Sequence, residues 1–120
     1  MPNTRECPCE GKSLPRLLRP GIMAFLAQGE AHGYQIARHL SQLRMFADRR
    51  PDHAGIYRAL KEMADEGLVK SSWEIGDAGP AKRVFALTPY GRKCLKTWRA
   101  TLLEYRNAVD ELLRLLRHVT

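Results

Sequence analysis

A chain of 120 residues, 44% apolar and 28% charged, has material for one domain with a real core and is too short for two of ordinary size. Twenty Lys and Arg against thirteen Asp and Glu leave a net charge of +7, which favours an anionic partner such as nucleic acid over an acidic substrate. No apolar run approaches the roughly 20 residues of a membrane span, and the opening residues MPNTRECPCEGK lack the apolar segment of a signal peptide, so a cytoplasmic protein without membrane contact is expected.

Residues 1–12 carry Pro2, Pro8, Gly11 and several charges without an apolar period, which reads as a flexible tail. Within it, Cys7-Pro8-Cys9 places two thiols two residues apart. A metal site needs about four ligands, and only Cys94 or a His is left to complete one, so unpartnered thiols are the plainer reading and no metal or cofactor is expected. The odd count of three cysteines makes no disulfide framework and agrees with a reducing compartment.

The stretch 14–28, LPRLLRPGIMAFLAQ, has Leu14, Leu17, Leu18, Ile22, Phe25 and Leu26 at helical spacing. Because Pro is tolerated in a first turn but not inside a helix, the helix is expected over residues 20–28, with a looser turn before it. A second helix is expected from His32 to about Met45, burying Tyr34, Ile36, Ala37, Leu40 and Leu43 and exposing Arg38, His39, Gln42 and Arg44. Residues 46–50 read as a charged loop. In the stretch 51–69, PDHAGIYRALKEMADEGLV, Asp52 is placed to cap a third helix and Gly67 to end it. Its apolar side is Ile56, Leu60 and Met63. Its outer side has Arg58 and Lys61 in the first half and acids in the second, the layout of a helix that meets DNA with its N-terminal half.

Residues 68–75 alternate, with Val69, Ser71, Trp73 and Ile75 on one face and Lys70, Ser72 and Glu74 on the other, as in a strand. Gly76-Asp77-Ala78-Gly79-Pro80 is turn chemistry, and KRVFAL (82–87) returns as a second strand. Three helices and a cationic hairpin are the order of a winged helix-turn-helix. The expected fold is mainly α with one small β-hairpin, the DNA-binding domain occupying residues 13–87 and a dimerisation helix residues 88–120. That helix starts at the Thr88 cap with Pro89 behind it, and at 1.5 Å per residue is about 45 Å long. Leu95, Trp98, Leu102, Tyr105, Val109, Leu112, Leu116 and Val119 are spaced alternately three and four apart along it, a heptad seam that calls for another long helix. A second copy of the chain would supply one; the alternative is a helix folded back over its own core.

The runs LLRPGIMAFLAQGEAHGYQIARHL, GIYRALKEMADEGLV and AKRVFALTPYGRKCL closely resemble the PadR family of bacterial transcriptional regulators. His32-Gly33-Tyr34, then Tyr57 with Leu60, Gly67 and Leu68, then Phe85 with Leu87, Thr88 and Gly91 carry the resemblance, over residues 14–95. It implies a winged helix-turn-helix domain, dimerisation through the C-terminal helix, and repression of transcription until an effector binds. The single C-terminal helical segment looks like the family's shorter subclass, and the wing is similar to that of polyhydroxybutyrate-responsive repressors. Where the family often reads Pro-Gly-Thr-Leu-Tyr, this chain has His53-Ala54-Gly55-Ile56-Tyr57 and lacks the hydroxyl.

The residues expected at double-stranded DNA are Arg58 and Lys61 in the major groove, Lys82 and Arg83 on phosphate or the minor groove, and His53 as a helper. Tyr57 stands at the border of buried and exposed faces, either a structural ring or one whose hydroxyl reaches phosphate. His32 and Tyr34 are expected to pack and cap within the fold. Trp98 either walls an effector slot between two copies or packs as a core residue. Induction falls to a small-molecule effector in the seam or to the thiols Cys7 and Cys9. The leading function is a homodimeric repressor; the alternative is a winged-helix module that binds protein. No Gly-rich phosphate loop, zinc-protease motif or nucleophile elbow points to an enzyme.

Overall fold

The computed structural model describes residues 17–46, 51–76 and 79–119. In chain order these form α1 (Leu18–Leu26), β1 (Ala31–His32), α2 (Gly33–Leu40), a 3-10 turn at Arg44–Phe46, α3 (His53–Asp65), β2 (Val69–Glu74), β3 (Lys82–Leu87) and α4 (Pro89–Leu116). The architecture is mainly helical with one small antiparallel sheet and a long C-terminal helix, as expected from the sequence. The tail with Cys7 and Cys9, the loop residues 47–50 and the hairpin turn at 77–78 lie outside the described residues. No helix among the described residues is long and apolar enough to cross a membrane.

Three helices and the sheet share one core. Ile22, Met23 and Leu26 from α1, Ile36 and Leu40 from α2, and Ile56, Leu60 and Met63 from α3 are essentially inaccessible, as are Phe46 and Phe85. Each such side chain contributes roughly 1.5–3 kcal/mol relative to an exposed position. Pro20 lies in the first turn of α1, where its missing N–H costs no helical bond.

Several local expectations need correction, beginning with the first helix, which runs Leu18–Leu26 rather than over residues 20–28. The second helix ends at Leu40 rather than near Met45. Leu40, Leu43 and Phe46 follow one another at spacing three, which suits the tighter 3-10 turn that buries Phe46 where a charged loop is expected. Tyr34 is not on the buried side of α2, because two residues before Ile36 is about 200° around the helix; it is largely exposed. His32 belongs to a short strand, β1, that adds a third strand to the expected hairpin. The sheet order is β1-β3-β2, with Ala31 opposite Phe85 and His32 opposite Val84.

The joint between sheet and α4 is built on two glycines and a threonine. Gly67, at φ 79°, turns the chain out of α3. Thr88 caps α4 by accepting from the Gly91 amide at 2.9 Å, while its hydroxyl donates towards the carbonyls of Gly67 and Leu68 at 2.6 and 3.1 Å. Gly91 is buried directly over this backbone; a Cβ there would sit 2.1 Å from the Leu68 carbonyl oxygen.

Helix α4 has 28 residues and spans about 42 Å. Its first half rests on α1, with Cys94, Leu95 and Trp98 packed against the core. From Leu103 onward every described residue is exposed, and the molecule measures 62 × 32 × 26 Å.

Candidate nucleic-acid interface

Helix α3 begins where Asp52 accepts a hydrogen bond from the Gly55 amide at 2.7 Å, and a side-chain cap of this kind is typically worth about 1 kcal/mol. With Ile56, Ala59, Leu60 and Met63 turned inward, the helical period leaves Ala54, Arg58 and Lys61 as one outward stripe and His53 with Tyr57 as its neighbour. Arg58 and Lys61 are exposed, and neither forms an ion pair with another described residue. Glu62 and Asp65 occupy the far half of the outer side. At the end of the helix Glu66 is bonded to Arg19 of α1.

Tyr57 turns its ring across the start of α2. An added Cβ on Gly33 would lie 2.5 Å from the Tyr57 hydroxyl oxygen, so the family-like His-Gly-Tyr motif has a glycine here because the ring needs the space. The same ring meets Phe85 of β3 edge-on, with centroids 6.1 Å apart. It is nonetheless 41% exposed, so the structure gives Tyr57 both a packed side and an outward one. His53 stacks on Tyr34, centroids 5.8 Å apart and planes 15° from parallel.

The hairpin separates the two cations expected to act together. Strand side chains alternate between faces, so Lys82 and Arg83 project from opposite sides. Arg83 shares a face with Phe85; its Nη2 donates to Ser71 Oγ at 3.1 Å, and its guanidinium lies 5.4 Å from the centre of the Phe85 ring. This is the side on which Tyr57 of α3 packs. Lys82 stands opposite Glu74 on the other face. There, Glu74 Oε2 lies 3.2 Å from His32 Nε2, and Gln35 Oε1 accepts from the His32 amide at 2.9 Å and lies 3.0 Å from Nδ1. His32 thus caps α2, as expected, and also pins the wing to it.

The cationic surface consequently runs from Arg58 and Lys61 on α3 to Arg83 on the adjoining wing face, with His53 at one end and Lys82 behind. Sequence reading missed two side chains that touch its residues, Tyr34 against His53 and Ser71 against Arg83. Tyr34 was recoverable from its angle on the helix. Ser71, which aims Arg83, was on the correct strand face, but its pairing opposite Phe85 depends on the hairpin register.

The heptad residues divide. Leu95 and Leu102 are half-buried and, with Leu17, Pro20 and Ala24, line a groove of about 710 Å³ between α1 and α4. Arg92, Lys96, Arg99 and Arg106 also line it. Trp98 lies on the other flank, beside Tyr90, Cys94 and Met23, close to the Arg19–Glu66 pair. Tyr105, Val109, Leu112 and Leu116 are exposed. Among the described residues no group of three His, Cys, Asp or Glu is placed to hold a metal ion.

This arrangement has known counterparts. Residues 22–97 match the model of the transcriptional regulator PadR-like family. The chain is 31% identical over 84 residues to the negative transcriptional regulator PadR of Bacillus subtilis, a match covering 69% of this chain and 45% of that one. The chain therefore spans less than half the length of that relative. The crystal structure of Bacillus subtilis PadR in complex with operator DNA superposes with a TM-score of 0.61 at 28% identity, over 68% of this chain and 46% of that one. A PadR-like regulator from Bacillus cereus shares the fold more completely, with a TM-score of 0.74 at 22% identity over 85% and 96% of the two chains. The chain belongs to the PadR-like family, a family of transcriptional regulators rather than enzymes.

Proposed function

We propose that the protein is a homodimeric, sequence-specific DNA-binding regulator, a repressor released by an effector. Each protomer sets α3 in the major groove and its wing on the flanking backbone. The observation that carries this reading is the capped, outward half of α3, with Arg58 and Lys61 exposed beside a wing whose Arg83 is already aimed. An Arg so placed can bond guanine bidentately, whereas a Lys on the backbone adds charge without reading sequence. The relative solved on operator DNA supports the same assignment by kinship.

The dimer reading rests on the outer half of α4. Leu112 and Leu116 are 53% and 49% exposed, a cost that a second α4 laid along the seam would remove. A dimer carries twice the +7 of one chain. Trp98 is half-buried against its own core, so only its outward edge is free to meet an effector in that seam. Placement in the family's shorter subclass rests on the one helix after the wing, and the likeness to polyhydroxybutyrate-responsive repressors on the wing sequence.

Two substitutions test the roles. Arg58→Ala is expected to weaken operator binding by roughly tenfold or more while changing binding to random DNA much less, which is a loss of base readout. Lys82→Ala should weaken both by a similar factor and make the salt dependence shallower by about one phosphate contact. Competition titrations of labelled operator against random duplex measure both; an equal loss from the two variants on both DNAs contradicts the role assignment. Binding indifferent to salt contradicts the function.

A further inference from the structure

We infer that Trp73 is a DNA-contacting residue of the wing, laid with Arg83 against the sugar–phosphate wall of the duplex. The inference rests on the DNA-binding reading above and adds to it a residue and a kind of contact.

Trp73 is the direct cross-strand partner of Arg83, so the two side chains share one face of the hairpin at close range. That face is continuous with the recognition helix: Tyr57 meets Phe85 edge-on, the Arg83 guanidinium lies over Phe85 and is bonded to Ser71, and Trp73 is next along the wing. Of the inner members only Phe85 is in the core, at 2% exposure, with Tyr57 part-exposed over it and Ser71 exposed. The outer one, Trp73, is open at 65%. Arg83 therefore stands between the packed Phe85 ring and an uncovered indole.

The chemistry of that junction fits a duplex wall. Deoxyribose presents apolar C–H surface between phosphates, so a flat aromatic can cover the sugars while a neighbouring guanidinium reaches an anionic oxygen. The guanidinium is positioned before binding, so little side-chain freedom is lost in the contact. The hairpin's one described acid, Glu74, lies on the opposite side with Lys70 and Lys82, where it faces Lys82 and His32, so no described acid shares the face of Arg83 and Trp73. The large exposed leucines of α4 belong to a different surface, so a dimer seam does not account for Trp73.

The chain has two tryptophans, and in a Trp98→Phe protein Trp73 is the sole reporter. This variant is titrated with a fluorescein-labelled random duplex of about 24 base pairs at low ionic strength, where sequence-independent binding is strong. Label anisotropy gives occupancy and indole emission gives the contact. Emission quenched in proportion to occupancy is expected. In the otherwise unaltered protein, Trp73→Ala is expected to raise the dissociation constant about tenfold and Trp73→Phe only about twofold, since a smaller ring keeps part of the apolar area. Rising anisotropy with unchanged emission, together with wild-type affinity of Trp73→Ala, overturns the inference and leaves the DNA-binding reading standing. Absence of an anisotropy rise in the wild-type protein overturns both. A change in Trp73 emission on dilution without DNA places a second copy on this face and overturns the inference.

Discussion

Gly91→Ala is expected to lower the melting temperature by roughly 10 °C or more, from a destabilisation of about 3 kcal/mol. The added methyl would meet the Leu68 carbonyl oxygen at 2.1 Å and Leu87 Cδ1 at 2.7 Å. The leucine tip can turn away, but the carbonyl is backbone at the start of β2 and already accepts from the Thr88 amide and hydroxyl. Relief therefore requires α4 to lift from the sheet, which takes Cys94, Leu95 and Trp98 off the core. Thermal denaturation followed by circular dichroism measures the effect. A melting temperature within about 2 °C of wild type would contradict the close approach at this joint.

The second large effect is on assembly. Leu112→Asp combined with Leu116→Asp places two carboxylates in the proposed seam of each protomer, four in a dimer. Burying unpaired charge against apolar surface costs several kcal/mol, so the dissociation constant of the dimer should rise by at least about 100-fold. Both leucines are exposed in the single chain, so the melting behaviour of the N-terminal domain should change little. That contrast separates lost association from lost folding. Sedimentation equilibrium is the measurement: dimeric wild type and monomeric variant are expected, and a variant as dimeric as wild type contradicts the seam. The monomer should hold an operator through one half-site only, with affinity falling accordingly.

Much of the fold was legible because local chemistry and helical period agreed. Asp52, Gly67 and Thr88 carry end signals that depend only on neighbouring residues, and they mark where α3 stops and where α3 and α4 start. Residues 82–87, set between the turn residues and the Thr88 cap, were bounded correctly. What escaped was set by distant partners. Strand β1 has two residues and no period, and exists because β3 offers an edge opposite Ala31 and His32. Phe46 looked like loop because its burial depends on Leu40 and Leu43 continuing at a spacing of three rather than along an α-helix.

The candidate surface followed the same division. Arg58 and Lys61 were readable as an outward pair from the period of α3 alone. Lys82 and Arg83 were grouped because they are adjacent, although adjacency in a strand means opposite faces. Only the register shows that Arg83 is the one beside Ser71 and Phe85 while Lys82 faces Glu74. The heptad spacing of α4 was plain in sequence, but its split was not. Leu95, Trp98 and Leu102 are half-buried in their own chain, and Tyr105 through Leu116 remain uncovered. A periodic stripe does not state where the partner changes from the core to another helix.

The central claim is that two copies of α3 read a DNA sequence together. Selecting duplexes from a random library by binding to the purified protein, then sequencing the bound fraction, tests it most directly. The enriched DNA is expected to contain an inverted repeat with half-site centres about 10 base pairs apart, one helical turn, or a multiple of that, and its affinity is expected to fall steeply with salt. A bound fraction indistinguishable from the input library would contradict the account.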